Sequence, residues 1–188
     1  MLTSLLQHDA SLRALLSSWH TPWLDAVMWT LSALGAVGGI WLLAAAILAA
    51  WVPKCRGAAW QVVLALCLSQ VAVDNVIKPL VGRPRPFVAD PAIHVVGAYL
   101  PPTFSFPSGH AALSFSAAVV LAHALRRGRA AWYLLAALIA FSRVYIGVHY
   151  PIDVVVGTLV GLAVGYVVTG GRAWYAEGSA VATRRVPR

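Results

Sequence analysis

The chain has 188 residues, 60% of them hydrophobic and 11% charged, with a net charge of +8 and a mean hydropathy of +0.77. This composition excludes an ordinary soluble domain and leaves room for one membrane bundle, because each spanning helix needs roughly 20 residues to cross a hydrocarbon core of about 30 Å. The positive charge does not point to nucleic acid, since most of the cations fall in short segments between or after apolar runs, the pattern of membrane topology.

At the amino terminus Leu2, Leu5, Leu6, Leu12, Leu15, Leu16 and Trp19 recur at helical spacing, with Gln7, His8, Asp9 and Arg13 between them. The pattern predicts an amphipathic helix over residues 1–22, lying in the outer interface. A signal peptide would instead need a basic start and a continuous apolar core. The uncharged run from Ala26 to Pro53 follows, with Gly35, Gly38 and Gly39 marking a bend. Four further runs extend from Ala58 to Lys78, Gly109 to Leu125, Ala130 to Tyr145 and Pro151 to Gly171. The middle two are short for a span and gain length only if the polar motifs at their ends belong to the helices. The expected architecture is all-α: a single integral membrane domain of five to six transmembrane helices. It comprises the interfacial helix (1–22), a transmembrane core (23–171) and a basic tail (172–188).

Lys54 and Arg56, then Arg126, Arg127 and Arg129, then Arg172, Arg184, Arg185 and Arg188 all fall on one side of such a bundle. The positive-inside bias makes that side cytoplasmic. The connection from Lys78 to His110 and the turn from Ser142 to Asp153 then share the extracytoplasmic face. Cys55 and Cys67 lie at different levels, so no disulfide is expected, and no His/Cys/carboxylate set has metal-ligand spacing.

Three polar clusters interrupt this apolar chain. In the first, KPLVGRPRP, Lys78 and Arg85 are seven positions apart on a backbone stiffened by Pro79, Pro84 and Pro86. An Arg fork and a Lys point charge together can grip a phosphate. Asp74, one turn before Lys78, is placed to orient its ammonium. Arg83 has no such partner in the motif and reads as an interface residue that snorkels.

The second cluster, PSGH, reads as a helix start. Ser108 is its N-cap, Gly109 admits close approach of a ligand to backbone, and His110 stands in the first turn, where free N–H groups and the helix dipole favour an anion. The third runs from Ser142 to Asp153 and holds Arg143, His149 and Asp153. Helical spacing of four lets the Asp153 carboxylate accept the His149 imidazole N–H, which leaves the other ring nitrogen as a nucleophile. Pro151 suits the first turn of the helix that follows.

Lys-x6-Arg-Pro, Pro-Ser-Gly-His and Ser-Arg-x5-His-x3-Asp, in this order, resemble the tripartite signature of the type 2 phosphatidic acid phosphatase superfamily over about Asp74 to Gly165. The resemblance implies phosphoryl binding by Lys78, Arg85 and Arg143, helped by Ser108, Gly109 and Ser142. It also implies attack by His149 to give a phosphohistidine, tautomer control by Asp153, and His110 as acid then base. No metal or other cofactor is implied. Soluble vanadate-dependent haloperoxidases share this signature, and the composition of this chain sets them aside.

The expected activity is therefore that of a metal-independent lipid phosphatase in the inner (cytoplasmic) membrane, with its site on the extracytoplasmic face. Its partners are the bilayer and a membrane lipid phosphate, with no nucleic acid. The favoured substrate is undecaprenyl diphosphate, converted to undecaprenyl phosphate. The alternatives are phosphatidylglycerophosphate or phosphatidate, or transfer of the phosphoryl group to a lipid acceptor.

Overall fold

The computed structural model describes residues 9, 11, 19–97 and 100–170, and every regular element among them is helical. The amphipathic helix expected over residues 1–22 lies outside the described residues apart from Asp9, Ser11 and 19–22, as does the basic tail. The helices are α1 (Pro22–Leu34), α2 (Gly39–Trp51) and α3 (Arg56–Gln70), which continues through a π-helical stretch (Val71–Ile77) into α4 (Lys78–Val81). Then come α5 (Pro86–Ala89), α6 (Gly109–Ala124), α7 (Arg129–Tyr145) and α8 (Pro151–Val168).

The local sequence explains these limits. Pro22, Pro86 and Pro151 each open a helix, where the missing N–H costs nothing. Ser108 caps α6, its Oγ accepting from the Ala111 N–H at 3.5 Å. The long apolar run breaks at its glycines: Val37 and Gly38 take φ of 52° and 73°, and α1 and α2 meet at a bend of 52°. Gly38 adopts this left-handed conformation without steric cost, whereas for the β-branched Val37 it is strained.

The core centres on α6. From Ala111 to Ala122 every residue but Phe115 is buried, as befits a helix apolar on all sides. Helices α3, α7 and α8 pack around it, and α2 joins through Trp41, whose Nε1 donates to Ser114 Oγ at 3.1 Å in the interior. Against α6, α8 presents Gly157, Gly161 and Gly165, one turn apart and all buried. A Cβ on Gly157 would strike the Ser108 carbonyl, one on Gly161 the Ala112 carbonyl, and one on Gly165 would lie 2.6 Å from Val119 Cβ. Small residues at this spacing let two backbones touch where lipid supplies no hydrophobic drive.

Two stretches are long and apolar enough to cross a membrane, Arg56–Ala89 and Pro151–Val168, and the bent α1–α2 pair makes a third. This is fewer than the five to six expected, for a physical reason: α6 has 16 residues and α7 has 17. At 1.5 Å per residue each is about 25 Å long, because the polar motifs take up their ends.

The glycine stripe is directly testable. Gly161→Val should overpack the α6–α8 contact at a cost of about 1–3 kcal/mol, seen as a lower melting temperature in detergent. Gly57→Ala, where a Cβ meets nothing within 4 Å, should leave it unchanged or slightly higher.

Candidate active site

Topology brings the three polar clusters to one end of the bundle. Helix α3 runs toward that end, α6 starts there, α7 returns to it and α8 starts there again. The Ser108 N–H donates to the Asp153 carbonyl at 2.8 Å, locking the starts of α6 and α8 together. The opposite end holds the turns at 52–55 and 125–128, and Gln61 Nε2 bridges α3 to the Val168 carbonyl there at 3.4 Å.

A cavity of about 390 Å³ opens among these elements and is lined by Lys78, Arg85, Gly109, His110, Arg143 and His149, together with Asp74, Gln70, Thr103 and the bend residues Ala36 and Val37. Six of the nine residues singled out from sequence thus face one space. The π-helical stretch ends where the cations begin, and Lys78 Nζ lies 2.6 Å from Asp74 Oδ1. Gln70 Nε2 donates to the other oxygen of the same carboxylate. Arg143 Nη1 bonds the Ser32 hydroxyl of α1, which aims the guanidinium from beneath the cavity.

Arg85 is buried, and its fork is engaged. Nε donates to the Thr103 carbonyl at 2.6 Å, Nη2 to the Thr103 hydroxyl at 3.0 Å and Nη1 to the Val148 carbonyl at 3.0 Å. The same Nη1 lies 3.3 Å from His149 Nε2. Thr103 also meets Lys78 Nζ at 3.4 Å. No motif marked this residue, and the spacing of the chain gives no sign of it.

His149 and Asp153 take up the arrangement of an oriented imidazole. Nδ1 is 3.4 Å from Asp153 Oδ2, and Nε2 faces the cavity between the cations. Asp153 is fully buried and does a second job, because the same Oδ2 accepts the Tyr150 N–H at 2.9 Å and completes a capping box at the start of α8. Across the cavity, His110 Nε2 is enclosed and has no hydrogen-bonding partner among the described residues. That nitrogen is available to a ligand as donor or acceptor.

Ser108 and Asp153 stand just behind the cavity wall. Ser142 sits deeper, its hydroxyl donating at 2.7 Å to the Ile139 carbonyl of its own helix. Such back-bonding is the default for a serine inside a helix. Arg83 departs from the sequence expectation. Rather than snorkelling, it is largely buried, and its Nη1 donates to Asp153 Oδ1 at 2.7 Å while its Nη2 donates to Asp9 Oδ2 at 2.7 Å. Its partners are 70 and 74 positions away, beyond the reach of any local pattern.

Residues 58–175 match the PAP2 superfamily model. The chain belongs to the PAP2 superfamily. Among its relatives, decaprenylphosphoryl-5-phosphoribose phosphatase of Mycobacterium tuberculosis is 38% identical over 135 residues, covering 70% of this chain and 73% of that protein. An undecaprenyl-diphosphatase of Sulfolobus acidocaldarius is 37% identical over 98 residues, 48% of this chain and 44% of the relative. The solved transmembrane PAP2 type phosphatidylglycerolphosphate phosphatase from Bacillus subtilis superposes with a TM-score of 0.71, over 93% of this chain and 89% of that one. At 24% identity that likeness establishes the fold alone. The protein is a multi-pass membrane phosphatase, a hydrolase of phosphoric esters.

The environment of His149, in the turn between α7 and α8, sets its protonation. Burial, and then the cations Arg143, Arg85 and Lys78, hold its pKa well below the ordinary histidine value of 6.5. The free base is the nucleophilic form, and a depressed pKa keeps it present to lower pH. With His149 as the attacking group, the acid limb of kcat/KM, corrected for titration of the substrate phosphate, would fall below pH 6.5. Arg85→Gln should move it upward, because one of the cations that disfavours the imidazolium is gone.

Proposed function

We propose that this phosphatase removes the terminal phosphate from a polyprenyl-linked lipid through a phosphohistidine on His149. The observation that carries this reading is the position of His149 Nε2, which faces a cavity lined by Lys78, Arg85 and Arg143, with the unpartnered Nε2 of His110 in the same cavity. The cations and the amides at the α6 start would hold the phosphoryl oxygens and stabilise charge as it builds in the transition state. His149 Nε2 would form a bond to phosphorus as the P–O bond to the leaving group breaks, and His110 would protonate the departing oxygen. In the second step His110 takes a proton from water, the water oxygen attacks phosphorus, and the P–N bond breaks to release inorganic phosphate. Asp153 would keep the His149 proton on Nδ1. Gly109 with its amide and Ser108 with its hydroxyl serve as helix-start donors in this scheme, the Ser108 N–H being engaged by the Asp153 carbonyl, and Ser142 is left out, since its hydroxyl donates to its own helix.

Undecaprenyl diphosphate, cleaved to undecaprenyl phosphate, is the preferred substrate. A phosphorylated sugar on a polyprenyl phosphate is the second reading. It is favoured by the greater coverage of the mycobacterial relative and by Gln70 and Asp74, which line the cavity as partners for sugar hydroxyls. We read the domain as one bundle with five crossings, by α2, α3 with α4, α6, α7 and α8, in the inner membrane. Helix α1 would stay at the site end, since Tyr145 Oη donates to the Trp19 carbonyl at 3.3 Å just before it and a Cβ on Gly35, just after it, would lie 3.2 Å from His110. The basic turns at the far end support a cytoplasmic placement there and an extracytoplasmic site.

The test is phosphate release by detergent-solubilised protein, with EDTA present, from undecaprenyl diphosphate, a polyprenylphosphoryl phosphoribose and phosphatidylglycerophosphate. The polyprenyl substrates should lead; a clear preference for the glycerolipid would overturn the substrate assignment. His149→Ala should lower turnover about 1000-fold or more while the protein still binds inorganic phosphate. Acid-labile, base-stable radiolabel should accumulate on the wild-type chain after a rapid quench.

A further inference from the structure

Arg83 is not absorbed by the phosphatase mechanism. It is absent from the cavity wall that carries Lys78, Arg85 and Arg143, and it is bonded on both sides to buried carboxylates. Its guanidinium also lies over the Tyr150 ring, 3.8 Å from the centroid, next to the nucleophile in sequence. The second carboxylate, Asp9, is itself buried, and its Oδ1 accepts the N–H of Ile152 in the first turn of α8 at 2.9 Å. One chain of contacts therefore runs from Asp9 through Arg83 to Asp153 and on to His149.

We propose that Arg83 is a positioning residue for the nucleophile, acting through Asp153, and that Asp9 anchors it in that role. The inference rests on His149 being the attacking group. Its physical basis is the division of labour between the two oxygens of Asp153. Oδ2 serves both the Tyr150 N–H and the His149 ring, so the direction it presents to His149 depends on the plane of the carboxylate. That plane is fixed by what Oδ1 bonds, and Oδ1 bonds Arg83. A guanidinium is suited to this task because it is planar, always charged, and able to satisfy Asp9 and Asp153 with separate Nη atoms.

Without Arg83, a fully buried carboxylate oxygen loses its charged donor. The carboxylate then either rotates toward another donor or takes up a proton at lower acidity, and both outcomes weaken its hold on the imidazole N–H. Among the described residues, the groups facing this carboxylate are Arg83 from the 82–85 segment, His149 and the Tyr150 amide from the turn before α8, and the Ser105 hydroxyl. Arg85, Arg143 and Lys78 lie beyond His149 and bear on the ring rather than on Oδ1. Arg83 is thus the cation whose removal acts on Asp153 first.

The experiment compares Arg83→Gln, Arg83→Lys, Asp9→Asn, Asp153→Asn, His149→Ala and the Arg83→Gln/Asp153→Asn double variant in the full-length protein, using the lipid hydrolysed fastest by wild type. Arg83→Gln should lower kcat about tenfold or more with KM within twofold, since misplacing a reacting group costs rate rather than ground-state binding. The acid limb of its kcat profile should move to higher pH. Arg83→Lys should recover part of the loss, and Asp9→Asn should show a smaller effect in the same direction. In the Asp153→Asn background Arg83→Gln should add almost nothing, because the two act through one contact.

Four results would overturn the proposal: an unchanged kcat and acid limb in Arg83→Gln, a loss confined to KM, full additivity with Asp153→Asn, or a lower melting temperature with kcat per folded molecule and pH profile unchanged. If Arg83→Gln does not fold, Asp9→Asn carries the test alone, and a wild-type acid limb there would count against the proposal. Wild-type turnover in His149→Ala would mean instead that the phosphohistidine reading has failed. An inactive His149→Ala beside a fully active Arg83→Gln would overturn this inference alone.

Discussion

The structure depends on how buried charge is balanced at the end of an apolar bundle. Lys78, Arg85 and Arg143 are buried there around one cavity, beside the neutral ring of His149. Removing cations from water costs several kcal/mol each unless partners are supplied. The fold supplies them unevenly. Lys78 has Asp74, and Arg85 has the carbonyls of Thr103 and Val148, which are dipoles rather than anions. Two buried carboxylates go to Arg83, which does not line the cavity and is held between Asp9 and Asp153. Three cations line the inner cavity, a grouping suited to a multiply charged oxyanion, while the outer contact sets one guanidinium between two carboxylates.

That arrangement requires the helix starts to be held in register, which is the role of the glycine stripe. Gly157 lies against the carbonyl of Ser108, the cap of α6, and four residues earlier along α8 the Asp153 carbonyl receives the Ser108 N–H. A close backbone approach therefore sits directly below the site. Any side chain at Gly157 or Gly161 would push α8 from α6 and carry Asp153 away with it. His149 and His110 belong to different helix starts, so their separation is set by this contact. Packing in the apolar interior and geometry at the polar end are in this sense one constraint.

Much of this was legible in the sequence because the relevant interactions are local. The limits of α6, α7 and α8 fall within a few residues of the apolar runs, and the glycines at 35–39 mark the observed bend. Lys78 with Asp74 and His149 with Asp153 are i,i+4 pairs, and Ser108 is a cap, so each follows from spacing alone. What escaped is long-range or competes with a local default. Arg83 meets carboxylates more than sixty positions away, and Thr103 reaches Arg85 across a connection with no regular period. Ser142, beside Arg143, donates its hydroxyl to the Ile139 carbonyl one turn back, a local bond that a serine inside a helix can make.

The connection between α5 and α6 joins an apolar cavity to the cationic one. Thr103 fills two of the three nitrogens of Arg85, and Nη1 is shared between the Val148 carbonyl and His149. The same residue belongs to the segment Leu100–Phe104, which lines a neighbouring, mainly apolar cavity of about 350 Å³ with Phe87 and Val88. Arg85 is common to both cavities. A hydrocarbon group seated against Leu100 and Phe104 would press on the residue that sets the direction of the Arg85 fork. Binding energy from a part of the substrate remote from phosphorus would then be felt at the reacting centre, where it serves rate as well as affinity. On the proposed reading, a free phosphate in the inner cavity alone would have no such lever, and the shared wall would favour phosphate esters carried on lipid.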